Sequence, residues 1–108
     1  MLSNTSTTER RKSQRFKIQL PVEITQVSGK RVNRPVELLD IGSGGISFFS
    51  AKDWEIGGRV EYVITLSEAK KVRIRCLGKI VRVAPATDRE HTSLVAATID
   101  RYEFLRSQ

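Results

Sequence analysis

Strict alternation of apolar and polar residues is the feature that most constrains what this chain can fold into. From Phe16 to Thr25, and again from Val60 to Leu66, every second residue is apolar. A period of two is the repeat of a β-strand with one buried face, whereas a helix would need a repeat of 3.6 residues. Four further segments are predicted as strands from similar patterns, at positions 34–41, 46–50, 72–83 and 93–99. The chain is therefore expected to be built from six short strands.

Residues that favour turns separate these segments. They are Ser28-Gly29, Gly42 to Gly45, Gly57-Gly58 and the polar stretch from Pro85 to Glu90. Within the segment at 72–83, the inward positions pass from Cys76 to Leu77 and Val81 around Gly78, which predicts a β-bulge at the glycine. Bulges are common where a sheet curls until it closes. We therefore predict an antiparallel β-barrel.

The two ends of the chain differ from this pattern. Residues 1–8 are rich in Ser and Thr and contain no apolar run, so we expect a flexible tail without a signal peptide or membrane span. Asp100 is a good helix N-cap, and Tyr102 and Leu105 would share one side of a helix that ends at Arg106. The predicted fold is all-β, a six-stranded antiparallel barrel with a short C-terminal helix, within one domain at residues 9–108.

Composition excludes several classes of function. Cys76 and His91 are the only cysteine and the only histidine among 108 residues. An intramolecular disulfide and a metal site of several thiolates are therefore impossible, and a reducing cytoplasm is the expected location. The sequence contains no Ser-His-Asp set and no phosphate-binding loop that precedes a helix. We expect no catalytic residues, no metal and no cofactor, and thus no enzyme.

Basic residues crowd together just before the first strand. The net charge is +7, and five basic residues fall within eight positions, namely Arg10, Arg11, Lys12, Arg15 and Lys17. This density of positive charge attracts anions. Taken alone, however, such a run is typical of a solvated arm. The glycine-rich segment from Asp40 to Gly45, taken alone, is likewise typical of a turn between strands.

Together, in this order and on this strand pattern, the two segments resemble the signatures of the PilZ domain. The first, R-x-x-x-R, matches Arg11 to Arg15, and the second, [D/N]-x-S-x-x-G, matches Asp40 to Gly45. The resemblance extends from Glu9 to Arg106, and the segment from Ala96 to Tyr102 looks like the family's last strand running into its C-terminal helix. It implies a bacterial receptor for the second messenger cyclic di-GMP that acts through an effector protein, which the sequence does not identify.

The resemblance also implies roles for single residues. Arg11 and Arg15 would hold guanine edges and phosphates, because a guanidinium can donate two hydrogen bonds to guanine O6 and N7. Asp40 would accept hydrogen bonds from guanine N1-H and N2-H2, and Gly45 would let the ligand approach the backbone. An arginine at the position of Arg10 is associated in the family with binding of two intercalated nucleotides, so we expect an intercalated dimer of the ligand.

One position departs from the family pattern. Gly42 stands where the second signature has serine, and Ser43 follows one residue later. Loss of one neutral hydrogen bond costs about 0.5 to 1.5 kcal/mol, so binding is expected to be weakened by roughly tenfold at most. Ser43 would replace the missing hydroxyl if the loop shifts.

Two alternatives stay open at this point. A degenerate PilZ-like adaptor would bind no nucleotide and act by protein contacts alone, and Gly42 favours that interpretation. A small barrel that binds single-stranded nucleic acid would suit the charge, but it needs exposed aromatic residues for stacking. Aromatic residues make up only 6% of the chain, which disfavours nucleic acid as the ligand.

Overall fold

The computed structural model describes residues 15–16, 19–51, 53–87, 89 and 91–105. They form eight β-strands: β1 (Arg15–Phe16), β2 (Val22–Val27), β3 (Lys30–Gly42), β4 (Gly45–Ser50), β5 (Arg59–Ser67), β6 (Val72–Pro85), β7 (Ser93–Thr98) and β8 (Arg101–Leu105). The described part of the chain contains no helix that is long and apolar enough to cross a membrane. The predicted tail at residues 1–8 lies outside the described residues.

Six of the strands close into a barrel. The ring runs β3-β2-β5-β6-β7-β4 and returns to β3 through the β3–β4 hairpin. Every pairing in it is antiparallel. Closure leaves none of these six strands with an unpaired edge along its barrel section, which removes the main liability of an open sheet. The predicted six-stranded antiparallel barrel is confirmed.

The barrel interior is filled by the alternating apolar residues. The fully or almost fully buried side chains are Val22, Ile24, Leu38, Ile46, Phe48, Val60, Tyr62, Ile64, Cys76, Ile80, Val95 and Ala97. Tyr62 carries the only hydroxyl in this set, and it donates a hydrogen bond of 2.8 Å to the carbonyl oxygen of Thr98. Burial raises the pKa of the Cys76 thiol to about 11 and also raises the pKa of Tyr62. Both groups therefore stay protonated at neutral pH.

The predicted parity switch in β6 is present, but it lies further along the strand than the sequence suggested. Cys76, Gly78 and Ile80 all face inward, whereas Val81 is half exposed. The register against β7 shifts between Ile80 and Arg82. Gly78 serves a different purpose, because a Cβ there would overlap the carbonyl oxygen of Thr98. The glycine permits close approach of two backbones, and the bulge falls at Val81.

The predicted C-terminal helix is not found over Asp100 to Leu105. Residues Arg101–Leu105 form β8, which pairs antiparallel with Arg73 to Leu77 of β6. A helix of seven residues gains little from its own hydrogen bonds, whereas a strand here completes a ladder on an existing strand. The side chains also fit a period of two, with Tyr102 and Phe104 on one face and Arg101 and Glu103 on the other.

Candidate functional site

Pairing of β1 with β3 brings the two sequence signatures together. Arg15 lies directly opposite Gly42, and Phe16 lies opposite Ile41. The last residue of R-x-x-x-R is therefore a direct cross-strand neighbour of the glycine-rich segment, about 5 Å away at the Cα level. Arg10 and Arg11 lie outside the described residues. The structure thus joins Arg15 to the segment from Asp40 to Gly45 by backbone register.

A bulge in β3 decides where Asp40 points. Leu38 pairs with buried Phe48, whereas Asp40 pairs with Ser47, so Leu39 is an extra residue on the bulged strand. The inward position then passes from Leu38 to Ile41, which lies opposite buried Ile46. Without the extra residue, strict alternation would turn Asp40 into the barrel. The bulge instead places the half-buried carboxylate on the outer face, beside the β3–β4 turn.

The bulge in β6 places Arg82 in the same way. Ile80 pairs with Ala97 and faces inward, Val81 is the extra residue, and exposed Arg82 pairs with Ala96. Val83 then packs against the core. Two bulges on opposite sides of the β4–β7 pair therefore turn one carboxylate and one guanidinium toward solvent.

Asp40 and Arg82 stand at the two ends of one row on the outer face. Asp40 pairs with Ser47, Ser47 with Ala96, and Ala96 with Arg82. Three strand spacings of about 4.8 Å separate the end residues by about 14 Å at the Cα level. The two residues between them have small side chains. The row therefore forms a shallow floor with an acidic end and a basic end.

Side chains on the next row bound this floor on one side. Glu37 pairs with Phe49, and Arg89 lies over the Phe49 ring with its guanidinium carbon 3.9 Å from the ring centroid. Arg89 also donates two hydrogen bonds of 2.8 and 3.2 Å to the Glu37 carboxylate. These hydrogen bonds lower the pKa of Glu37 below its usual value. The aromatic ring is thus partly covered by an arginine.

On the other side, the floor ends at the β3–β4 turn, whose residues have small side chains or none. Gly42 pairs with Gly45, and exposed Ser43 and Gly44 form the turn. A Cβ on Gly45 would overlap the carbonyl oxygen of Ala97 and would lie 3.1 Å from the Cα of Thr98. Packing of β4 on β7 therefore already requires glycine at position 45. The resemblance to the PilZ domain implies a different role for this glycine, namely approach of a ligand to the backbone.

Two residues of the floor were missed by sequence reasoning. Ser47 and Arg82 lie in strands, where a polar residue is ordinarily part of a solvated face. Their proximity to Asp40 depends on cross-strand register and on two bulges, and the sequence carries no local signal for either. In the sequence, the one dense group of charged residues is the basic run from Arg10 to Lys17. Among the described residues, no three His, Cys, Asp or Glu side chains are grouped so that they could hold a metal.

Comparison with known proteins agrees with this geometry. No curated protein matches the chain. A solved structure, that of the Bacillus subtilis inhibitor of motility (MotI/DgrA), superposes with a TM-score of 0.71 at 18% sequence identity. The superposition covers 87% of this chain and 44% of that chain, so this chain spans less than half of its structural neighbour. The family model of the PilZ domain matches residues 9–104, which include both signatures and the whole barrel. The chain belongs to the PilZ domain family.

Proposed function

We propose that this PilZ domain is a receptor for cyclic di-GMP that passes the signal to an effector protein in the cytoplasm. The observation that carries the proposal is the β1–β3 register, which sets Arg15 opposite Gly42 and two residues from Asp40 along the facing strand. The last residue of the first signature is thereby a neighbour of the second signature by backbone register. A buried thiol at Cys76, with no cysteine to pair with, suits a reducing compartment.

The floor between Asp40 and Arg82 has a shape that suits a planar ligand. The side chains of Ser47 and Ala96 are small and project little from the sheet, so a purine ring can approach the strands closely. A carboxylate at one end can accept hydrogen bonds from guanine N1-H and N2-H2, which adenine does not offer. A guanidinium at the other end can contact a phosphate or the O6 and N7 edge of a second guanine. In this proposal Arg10, Arg11 and Arg15 complete the site as its cationic arm, and Ser43 and Gly45 line the turn.

The experiment is a calorimetric titration of the purified protein with cyclic di-GMP, with cyclic di-AMP as the matched ligand. We expect binding of the first ligand, with binding of the second at least about tenfold weaker because adenine lacks the adjacent N1-H and N2-H2 donors that guanine would offer to the Asp40 carboxylate. Arg15→Ala and Asp40→Ala should each weaken binding by more than about tenfold, since a charge-assisted hydrogen bond contributes about 1.5 to 3 kcal/mol. Binding should also weaken as salt is raised, because ligand phosphates are neutralised by arginines.

Matched controls separate the site from general charge. Arg31→Ala removes an exposed arginine at the start of β3, and Asp53→Ala removes an exposed aspartate in the loop before β5. Neither residue lies on the floor, so both variants should titrate like the parent protein. If all four variants bind alike, the proposed site is wrong. A fifth variant, Arg82→Ala, tests the basic end of the floor. If its affinity equals that of the parent protein, this end does not contact the ligand.

The second candidate function is a PilZ adaptor that binds no nucleotide. Gly42 favours it, because the signature serine is absent and Ser43 lies in the exposed turn. A parent protein that gives no heat with cyclic di-GMP, at concentrations up to about 1 mM and under several salt conditions, would select this alternative. Nucleic acid is the weaker candidate as a ligand of the floor, since Phe48 is buried and Phe49 lies beneath Arg89, so neither offers a free stacking face there.

A further inference from the structure

Strand β8 lies outside the six-stranded ring, and one of its edges is unpaired within the described residues. It pairs with β6 alone, while β6 pairs on its other side with β5. No strand in the described part of the chain pairs with the far edge of β8. The backbone groups along that edge are therefore open to a further strand, which is the situation that proteins ordinarily prevent or use for association.

The inner face of the barrel continues onto β8 as an apolar surface. Tyr102 lies opposite buried Cys76, and Phe104 lies opposite half-buried Ile74, so both aromatic residues extend the rows of the core. Each is 63% exposed, and their rings form an edge-to-face pair with centroids 6.2 Å apart. Two adjacent aromatic rings at an open strand edge provide a contact surface of the kind that is enriched at interfaces.

The opposite face of β8 carries alternating charge. Glu103 forms an ion pair with Arg75 of β6, and Arg101 lies opposite Leu77. From Arg101 to Glu103 the strand therefore presents one positive and one negative residue, two positions apart and on the same face. Such a pair is complementary to itself when the strand is reversed.

We propose that β8 is a homodimerisation edge, at which two copies of the chain pair antiparallel about a two-fold axis through Tyr102. In that register Arg101 of each copy faces Glu103 of the other, and the two Tyr102 rings are direct cross-strand neighbours. Each Phe104 lies diagonal to Tyr102 of the second copy, within reach of an aromatic ring. The interface is isologous, as a two-fold axis requires. This inference does not depend on nucleotide binding.

Charge selects this register over its neighbours. An axis through Glu103 would place two carboxylates directly opposite each other, and an axis through Arg101 would oppose two guanidinium groups. Like charges in direct cross-strand positions are destabilising, whereas the register about Tyr102 contains two attractive pairs. The contact is short, so the expected dimer is weaker than one with a standard-sized interface.

The test is analytical ultracentrifugation of the full chain from about 1 µM to 1 mM, a range that spans weak to moderate dimers. The parent protein should pass from monomer to dimer within it. In a dimer of the Arg101→Glu variant, positions 101 and 103 of facing copies would both carry glutamate. In a dimer of the Glu103→Arg variant, both would carry arginine. Each substitution should raise the dissociation constant by at least about tenfold. Arg31→Glu, a charge reversal at the start of β3, should leave the dissociation constant unchanged.

The decisive experiment mixes the two single variants. A heterodimer of Arg101→Glu with Glu103→Arg faces glutamate with arginine at both positions, so the mixture should dimerise within about threefold of the parent. The double variant should likewise dimerise by itself. Should Glu103→Arg not fold beside Arg75, Arg101→Glu alone carries the test, because it leaves the Arg75–Glu103 pair intact.

Several results would overturn the proposal. They are a parent protein that stays monomeric up to 1 mM, single variants that dimerise like the parent, and a mixture that does not regain association. Hydrogen exchange on the dilute protein adds a further one. The amides of β8 that donate to β6 are protected in any case, so the informative amides are those of residues 101–105 that point to the far edge. If these far-edge amides are protected while the protein is monomeric, another segment of the same chain covers the edge and a second copy does not.

Discussion

Gly45→Ala separates the two explanations for the last glycine of the Asp40–Gly45 signature. The added methyl group would overlap the carbonyl oxygen of Ala97 and meet the Cα of Thr98 at 3.1 Å. Both are backbone atoms within the β4–β7 ladder, so neither can rotate away as a flexible side chain would. Overpacking of this kind costs about 1 to 3 kcal/mol, and a rigid backbone favours the upper end. We therefore expect the variant to be destabilised in the complete absence of ligand.

Gly44→Ala is the matched control, one residue away in the same turn. A Cβ at position 44 meets no atom within 4 Å. The substitution should be neutral, or stabilising by about 0.4 to 1 kcal/mol through the entropy of the unfolded chain.

Urea denaturation followed by circular dichroism measures both variants. With a slope of about 1 to 3 kcal/mol per molar urea, the midpoint for Gly45→Ala should fall by roughly 1 M relative to Gly44→Ala. If the two midpoints agree within about 0.2 M, packing does not require Gly45, and its presence must be explained by the ligand.

Three further predictions concern the site and the core. Gly42→Ser restores the hydroxyl of the signature and should tighten cyclic di-GMP binding by up to about tenfold. Serine should be tolerated there, because Gly42 ends an extended strand and the positive-φ glycines among the described residues are Gly29 and Gly57. Weaker binding by a variant with an intact fold would show that the β3–β4 turn differs in backbone geometry from the usual family turn. Calorimetry at saturation should give two nucleotides per chain and a shift toward one in Arg10→Leu, whereas a ratio of one in both proteins would contradict the assignment of Arg10. The free energy of unfolding should fall as pH rises from about 9 to 11, by roughly 2 to 3 kcal/mol from the thiol alone, because burial raises the pKa of Cys76 from 9.0 to about 11 and the unfolded chain releases this proton first. The raised pKa of Tyr62 adds to the loss at the alkaline end, and an unfolding free energy independent of pH up to 10.5 would contradict the burial of both groups.

The sequence predicted the barrel because alternation is a direct consequence of burying one face of each strand. In β5 the predicted inward residues Val60, Tyr62 and Ile64 are all buried. Leu66 continues the pattern but is 38% exposed, and the register of β5 against β6 shifts between Thr65 and Ser67, which leaves Leu66 as an extra residue. Hydrophobic periodicity therefore identifies the strands well, but it does not show how far along each strand the apolar residues are buried.

The position of the bulge in β6 could not be obtained from the same pattern. Leu77 and Val81 are apolar, as are Cys76 and Ile80, so the sequence allows either set to face inward. Tertiary contacts decide between them. Gly78 must face inward because the backbone of Thr98 occupies the place of its Cβ, and this fixes Cys76 and Ile80 as core residues. Leu77 and Val81 consequently lie 39% and 50% exposed.

The C-terminal segment was mispredicted for a related reason. Asp100 is followed by residues that suit one helical turn, and a capping signal does not reveal whether a neighbouring strand has a free edge. The backbone N-H of Asp100 donates instead to the carbonyl oxygen of Leu77, 2.8 Å away, and leads the chain onto β6. Competition between local and tertiary hydrogen bonds is invisible in a single sequence.

The two bulges connect the stability of the barrel to the display of the candidate site. If Leu39 were not an extra residue, alternation would bury Asp40 and expose Ile41, and the same slip at Val81 would bury Arg82 and expose Val83. An unpaired buried charge costs several kcal/mol, and each exposed aliphatic side chain forfeits about 1.5 to 3 kcal/mol of burial. The hydrophobic effect that draws Ile41 and Val83 into the core therefore also holds Asp40 and Arg82 on the outer face.

This coupling places both charged residues on strands of a closed barrel, whose backbone positions are fixed by ladders on both sides. A site on such a framework pays little conformational entropy for its own ordering when a ligand binds. Strand β1, which begins at Arg15, is held against β3 through two residue pairs. Affinity for the proposed ligand should consequently be more sensitive to a change of charge at Arg15, Asp40 or Arg82 than to conservative changes in the barrel core.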